Sequence, residues 1–338
     1  MRSHRISLQD IATLAGVTKM TVSRYLRTPD RVSPETGAKI AQIIEEINYI
    51  PNRAPEMLLS SKSYTLGVLI PSFKNQIFAD LLSGIEAATQ EGRYQTLIAN
   101  YNYDKQTEEE QIINLLSYNI DGIILSEKDH TLRAVKYLRA AQIPIVEVMD
   151  TQGSCLDMQV GFNNFSAGYD MTRTLLDQGR RRVIYFGSQD DRRDEFRYRG
   201  YCQAMEERGG VGNRVNPKAI SSQKLGAAML ASALEQFPDL DAVFCTNDDL
   251  SLGALLHCQR HGIAVPGRIA IAGFHGLDIS REMYPTMASV ITPRYAIGYT
   301  AAELLLKKIG DSRFSADSID LSYQIFMGEK SVVDYAFD

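Results

Sequence analysis

Lys19, Met20, Thr21, Ser23 and Arg24 lie within six consecutive residues, a mixture of basic, small hydroxyl and flexible apolar side chains. At helical spacing Val22, Tyr25 and Leu26 turn inward, and those five stay on the outer face. Arginine can grip the acceptor edge of guanine with two hydrogen bonds, and short hydroxyls suit phosphate oxygens. A short helix carrying both is what the major groove of a DNA duplex accepts. A second set of candidates lies downstream, each just after a run of apolar residues: Ser72, Phe73 and Asn75; Glu127; Asp150; Asn163; Ser188; Asn247 and Asp248; and His275. Ligands of open parallel sheets sit beyond the carboxyl ends of the strands, so this set is the natural place for a small-molecule site.

The first set needs a rigid support, and the surrounding residues supply one. Ser7 can cap a helix whose apolar positions are Leu8, Ile11, Ala12 and Ala15. Gly16 can make the tight turn that follows, and Thr18 can cap the outward-facing helix. A third helix begins at Ser33-Pro34-Glu35 and carries the stripe Ile40, Ile43, Ile44 and Ile47. The first fifty residues therefore read as a helix-turn-helix. A small helical bundle with no nucleic-acid role is the competing reading, and the completeness of the pattern favours DNA.

The second set needs strands. Apolar runs occur at Leu66–Ile70, Thr96–Ala99, Gly122–Leu125, Ile145–Met149, Val183–Phe186, Ala242–Cys245 and Ile269–Phe274, with helical patterns between them. Continuous apolar strands alternating with helices indicate parallel sheets covered on both faces, and this many indicates two doubly wound lobes.

Charge is divided along the chain in the same way. The net charge is -5 at pH 7, yet residues 1–62 hold nine Lys/Arg against six Asp/Glu. A basic head on an acidic body suits a head that meets phosphates. Four scattered cysteines give no disulfide framework, no apolar run is long enough for a membrane span, and the amino terminus lacks a signal-peptide core. These features predict a cytoplasmic protein with reduced thiols. No phosphate-binding loop, metal-hydrolase or nucleophile-elbow motif is evident, so no enzyme, cofactor or metal is expected. His257, Cys258 and His261 have metal-compatible spacing on one helix, but a solvated helix end explains them better.

The chain resembles the lactose-repressor (LacI/GalR) family. The matching residues are Leu8-Gln9-Asp10-Ile11-Ala12, Ala15-Gly16-Val17-Thr18, Thr21-Val22-Ser23-Arg24 and Tyr49-Ile50-Pro51-Asn52-Arg53-Ala54, and similarity continues to the carboxyl terminus. Within the family it looks most like the regulators of gluconate and L-idonate catabolism. That closer match is carried by Val17–Arg24, Cys245-Thr246-Asn247-Asp248-Asp249 and Ile271-Ala272-Gly273-Phe274-His275-Gly276.

The resemblance implies a two-lobe α/β core of the periplasmic-binding-protein type, with parallel sheets and three crossovers near residues 162, 292 and 322, behind an all-α helix-turn-helix head and hinge helix. Its implied division is a head at 1–50, a hinge at 51–63, one lobe from 64–162 plus 293–322, and the other from 163–292 plus 323–338. Lys19, Met20 and Arg24 match base-reading positions, leaving Thr21 and Ser23 to meet phosphate. Asn52 can cap a short helix through Leu59, and Leu58 matches a leucine that family members push into the minor groove. An ordinary linker with Leu58 packed on the body is the alternative. The chain ends soon after Val333 without a heptad tail, which predicts a homodimer rather than a tail-joined tetramer.

The resemblance also sorts the second set. Arg197 joins it, because Arg197-Tyr198-Arg199-Gly200-Tyr201 matches the family stretch whose first arginine reaches the ligand. Asn247-Asp248 matches an effector-binding pair, and Asp150 a pocket position, although a helix cap would explain Asp150 nearly as well. Arg193 and Arg199 nearby read as solvated arginines. The family usually has Asp where this chain has His275. That exchange removes a negative charge from the cleft and adds a donor, and with Arg197 it suits an anionic ligand. The expected effector site is thus Ser72, Phe73, Asp150, Arg197, Asn247 and His275, and the expected function is a DNA-binding regulator of sugar-acid catabolism. Gluconate, L-idonate and 5-ketogluconate are the candidate effectors, and a pseudo-palindromic operator is the DNA partner. The alternatives are a family member answering to a neutral sugar, or a sugar-acid binding protein of a transport system.

Overall fold

A computed structural model describes residues 6–51, 62–90, 92–189, 191–316 and 318–328. The expected hinge helix from Asn52, with Leu58, lies outside the described residues. The chain divides into two compact units, one through Lys62 and one from Ser63.

The first unit is three helices, α1 (Leu8–Ala15), α2 (Lys19–Arg27) and α3 (Pro34–Glu46). Asp10 accepts from the backbone N–H of Ser7 at 2.7 Å and from its hydroxyl at 2.8 Å, which fixes the start of α1. Gly16 ends that helix in the left-handed region at φ 66°, a conformation that costs glycine nothing. The threonine at 18 then caps α2, accepting from the Thr21 N–H at 3.1 Å, and Ser33 caps α3 ahead of Pro34. Ile11, Ala12, Ala15, Val22, Ile40 and Ile43 form one buried cluster, with Leu8, Tyr25, Leu26, Ile44 and Ile47 packed around it.

The second unit contains two six-stranded sheets. In the first, the order is β11-β5-β4-β3-β1-β2, built from β1 (Thr65–Ile70), β2 (Gln95–Asn100), β3 (Gly122–Leu125), β4 (Ile145–Val148), β5 (Met158–Gly161) and β11 (Ser318–Asp320). In the second the order is β12-β10-β9-β8-β6-β7, from β6 (Val183–Phe186), β7 (Asn213–Val215), β8 (Ala242–Cys245), β9 (Ala270–His275), β10 (Ala288–Ile291) and β12 (Gln324–Phe326). Every pairing is parallel except β10 with β12. The chain changes sheet three times, between β5 and β6, β10 and β11, and β11 and β12. β1, β3, β4, β6, β8 and β9 are buried almost throughout, as strands covered on both faces must be.

Helices pack on both sheets. Ile77–Gln90 lies against Arg294–Gly310, so residues from both ends of the unit complete the first lobe. That pairing is close because Gly84 and Gly298 carry no side chain. A Cβ on Gly84 would come within 2.1 Å of the Tyr295 carbonyl oxygen, and one on Gly298 within 2.0 Å of the Leu81 carbonyl oxygen. Asp121 receives the N–H groups of Ser63 at 2.9 Å and Tyr64 at 2.8 Å, fixing the start of the unit to the turn before β3. No described helix is long and apolar enough to cross a membrane.

Candidate functional site

On the head, the outward face of α2 presents Lys19, Met20 and Arg24 to solvent, with Met20 71% exposed. Val22, directly between them in sequence, is fully buried. Thr21 and Ser23 are half-buried at the rim of the same face. Their hydroxyls are already oriented, Thr21 Oγ1 against Thr18 Oγ1 at 2.9 Å and Ser23 Oγ by an N–H of Arg27 at 2.8 Å. Arg27 is a further cation on this helix that sequence reasoning missed. The face thus combines two fixed hydroxyls with exposed cations and one flexible apolar tip.

In the second unit a cavity of ≈ 390 Å³ opens between the two sheets, walled by the segments that follow the strands. The first lobe contributes Ser72 and Asn75 after β1 and Tyr103 after β2. The second contributes Ser188 after β6, Thr246 and Asn247 after β8, and His275 at the end of β9. Arg193 and Arg197 reach it from the helix Arg192–Glu207. Of the six residues expected to meet an effector, Ser72, Arg197, Asn247 and His275 line this cavity.

Arg197 is 5% exposed. Its Nε donates to Asn164 Oδ1 at 2.9 Å, its Nη1 donates to the Thr246 carbonyl at 2.7 Å, and its guanidinium lies 3.8 Å from the centre of the Phe274 ring. No carboxylate of the described residues is within ion-pair distance, and Nη2 has no hydrogen-bond partner among them. Its direct partners are therefore neutral acceptors and an aromatic face, while the carboxylates of Asp191 and Asp194 act on its charge from beyond ion-pair distance. Burial lowers its pKa, the expected sign for a desolvated cation.

His275 sits opposite in charge behaviour. It is 3% exposed, and burial, followed by the charges of Arg197, Arg294 and Arg193, pushes its pKa well below the ordinary imidazole value. The ring is therefore neutral, with one nitrogen a donor and the other an acceptor. Nδ1 meets Thr292 Oγ1 at 3.1 Å. The backbone at His275 has φ 99°, a strained conformation for a residue with a Cβ. Two bonds hold it there, Arg294 donating to the His275 carbonyl and Leu277 N–H donating to Asp248 Oδ2 at 2.6 Å.

Four expectations need correction. Phe73 is 62% exposed and does not line the cavity, because the turn after β1 points it into solvent. Asp150 is buried but stands behind the wall. Its Oδ1 receives Asn164 Nδ2 at 3.2 Å, and Asn164 in turn receives Arg197, so Asp150 is linked to the cavity through that asparagine and through its charge on Arg193. Asp248 is likewise structural, since Ser289 Oγ donates to its Oδ1 at 2.8 Å, and burial raises its pKa to about 6. Arg193, read as solvated, is 7% exposed and lines the cavity. Its partner Asp191 is held down at about pKa 2: burial alone would raise it, and the charge and hydrogen bonds of Arg193 overcome that. Two arginines one turn apart on a helix face were legible in the sequence. That both turn inward was not, because the facing of their helix is set by packing against the helix Asn164–Asp177.

Asn247 caps the helix Asp248–Arg260, accepting from the Leu250 N–H at 3.2 Å, and its amide donates to Ser221 Oγ at 2.6 Å. His257 and His261 stack with ring centres 4.3 Å apart at the far end of that helix. Among the described residues no group of three or more His, Cys, Asp or Glu could hold a metal ion.

Comparison with known proteins agrees with this architecture. Residues 7–52 match the model for bacterial regulatory proteins of the lacI family, and residues 63–328 match periplasmic binding proteins and the sugar binding domain of the LacI family. The chain is 62% identical over 329 residues to the HTH-type transcriptional regulator IdnR of Escherichia coli (strain K12), covering 97% of this chain and 99% of that protein. It is 45% identical over 328 residues to the HTH-type transcriptional regulator GntR of the same strain, covering 97% and 99%. Among solved structures, a LacI family transcriptional regulator from Silicibacter pomeroyi superposes with a TM-score of 0.89 at 31% identity, covering 96% of this chain and 98% of that one. A three-helix DNA-reading head, followed by two parallel-sheet lobes around a cavity, belongs here to a transcriptional regulator of the LacI family.

Proposed function

We propose that this regulator binds a pseudo-palindromic operator as a cytoplasmic homodimer and is switched by a six-carbon aldonic or keto-aldonic acid held between its lobes. Gluconate, L-idonate and 5-ketogluconate are the ligands in view. The observation that carries the acid is Arg197, buried beside the cavity with no direct carboxylate ion pair among the described residues. The ligand's carboxylate takes the place of that missing partner, accepting from Nη2. Its hydroxyls are shared among Asn247, Ser72, Thr246 and neutral His275. An aspartate at position 275 would face the acid with a like charge, whereas an imidazole can donate to it or accept from a hydroxyl.

On the head, Lys19, Met20 and Arg24 read base edges while Thr21 and Ser23 position the helix on phosphates. The head ends near residue 50, the hinge runs to 63, and Leu58 wedges the minor groove.

Isothermal calorimetry of the purified full chain tests the effector class. Sodium gluconate, L-idonate or 5-ketogluconate should bind and glucose should not. Tight glucose binding with no response to any acid would replace the ligand class with a neutral sugar.

A further inference from the structure

We infer that Arg193 is a latch between the lobes, distinct in role from Arg197 one turn along the same helix. The inference deepens the reading of the cavity as an effector site and rests on it. The two arginines differ in how their charges are met. Arg197 has no carboxylate at ion-pair distance among the described residues. Arg193 is paired directly within its own lobe, its Nη2 at 2.7 Å from Asp191 Oδ2 and its Nε donating to Oδ1 at 3.0 Å, and the Glu127 carboxylate of the first lobe also attracts its charge. Asp191 is fixed in turn as the cap of the helix, accepting from the Arg193 N–H at 2.8 Å. A guanidinium so satisfied has little to gain from a ligand's charge.

Its remaining donor does something else. Nη1 crosses to the other lobe and donates to the carbonyl of Ser126 at 3.1 Å, in a buried position. Ser126 follows β3 and is itself pinned to β1, its N–H and hydroxyl both donating to the Leu69 carbonyl, at 3.1 and 3.0 Å. The acceptor is therefore a fixed point on the first sheet, and the donor a fixed point on the second lobe's helix.

Position gives the bond its leverage. The crossings between lobes leave and enter the first sheet through β5 and β11, at one edge. β3 lies two strands in from β5, about 10 Å at the usual strand spacing. A bond placed off the hinge resists opening more effectively than one beside it, such as Asn164 Nδ2 to the Met149 carbonyl. Arg193 thus biases the ligand-free cleft toward closure, and the binding-competent fraction of the protein depends on it. Losing one buried charge-assisted bond should weaken effector binding about tenfold, by reducing that fraction.

The test labels the full chain with spectroscopic probes, through non-natural residues at exposed Tyr118 of the first lobe and Val211 of the second. Pulsed dipolar spectroscopy then reads the distance between lobes without ligand and across a sodium gluconate titration. Arg193→Met should lengthen the ligand-free distance, and gluconate should restore the parent distance at about tenfold higher concentration. Arg193→Lys, which keeps one donor and the charge, should fall between. Arg197→Gln should lose gluconate yet keep the parent's ligand-free distance, a split that general destabilisation would not produce. If Arg193→Met fails to fold because Asp191 is left unpaired, the double variant with Asp191→Asn removes both charges and makes the same comparison. An unchanged ligand-free distance in the Arg193 variants, or equal lengthening in Arg197→Gln, overturns the latch. Failure of every acid to move the parent would instead overturn the effector class, and the ligand-free comparison would still decide on Arg193.

Discussion

Arg197 and His275 illustrate how much of a binding site's chemistry lies in the state of single groups. Arg197→Lys keeps a positive charge but loses the planar fork and the stacking on Phe274, so acid binding should weaken by about tenfold or more in calorimetry. His275→Asp should lose gluconate by about a hundredfold while losing glucose far less, since only the acid meets the new like charge. Equal losses for both ligands would assign His275 a purely structural role. A third group, away from the cavity, sets a pH dependence. His130 lies buried between two carboxylates, Nδ1 at 2.8 Å from Glu108 and Nε2 at 3.2 Å from Glu147. Burial alone would lower its pKa, but hydrogen bonds to Glu108 and Glu147 raise it to about 9. The folded protein therefore keeps this proton above the pH at which the unfolded chain releases it, near 6.5. His130 contributes stability fully below about 6.5, and that contribution fades as pH rises toward 9. Denaturant titrations of the parent and His130→Gln should show a stability difference that shrinks across that window. A difference independent of pH would mean that the histidine is uncharged in the fold.

At the scale of elements, the head was legible almost in full. Local signals specify it: Thr18 and Ser33 cap, Gly16 turns, and Ile11, Val22 and Ile40 face one another from short helices whose periodicity is unambiguous. The fully buried central strands were equally plain, β3, β6 and β8 falling on their apolar runs to the residue. β5, β7, β10, β11 and β12 were not. They are three or four residues long, carry polar side chains such as Gln159 and Ser289, and exist because a neighbouring strand offers its edge. The cavity was legible in part. Asn247, His275 and Arg197 line the cavity, whereas Phe73 and Asp150, which also follow plain strands, do not, and Arg193, read as solvated, does, because tertiary packing decides which way a side chain faces. One prediction belongs to the reading helix. Exchanging Lys19 and Met20 together should change the sequence recovered when operators are selected from a random library, and Arg24→Ala should cost about 1–3 kcal/mol of discrimination at one guanine. An unaltered selected sequence would remove α2 from the base-reading role.

For the molecule as a whole, coupling between effector and operator is a difference of affinities, and it must be reciprocal. Leu58→Ala should leave gluconate binding to the free protein nearly intact and weaken specific operator binding, with little change in the salt dependence, because no phosphate contact is lost. Gel-shift titrations at several salt concentrations, paired with a bend-angle measurement, distinguish this from a general loss of DNA affinity. Equal affinity and equal bending in variant and parent would leave Leu58 an ordinary linker residue. Whatever its outcome, the three sheet changes carry a consequence for how the protein is made. The first lobe is interrupted by the second: the helix Ile77–Gln90 is synthesised early, and the helix Arg294–Gly310 that covers it emerges about two hundred residues later. At ribosomal speeds that is a wait of roughly ten to forty seconds. During it, the groove around Gly84 stands uncovered on the nascent chain, and the second lobe, whose first five strands are already complete, can fold ahead of it. A nascent chain exposed only as far as Ile291 would therefore display five paired strands of the second sheet, with β12 still to come, beside a first lobe that lacks its covering helix and offers chaperones a sticky surface to hold.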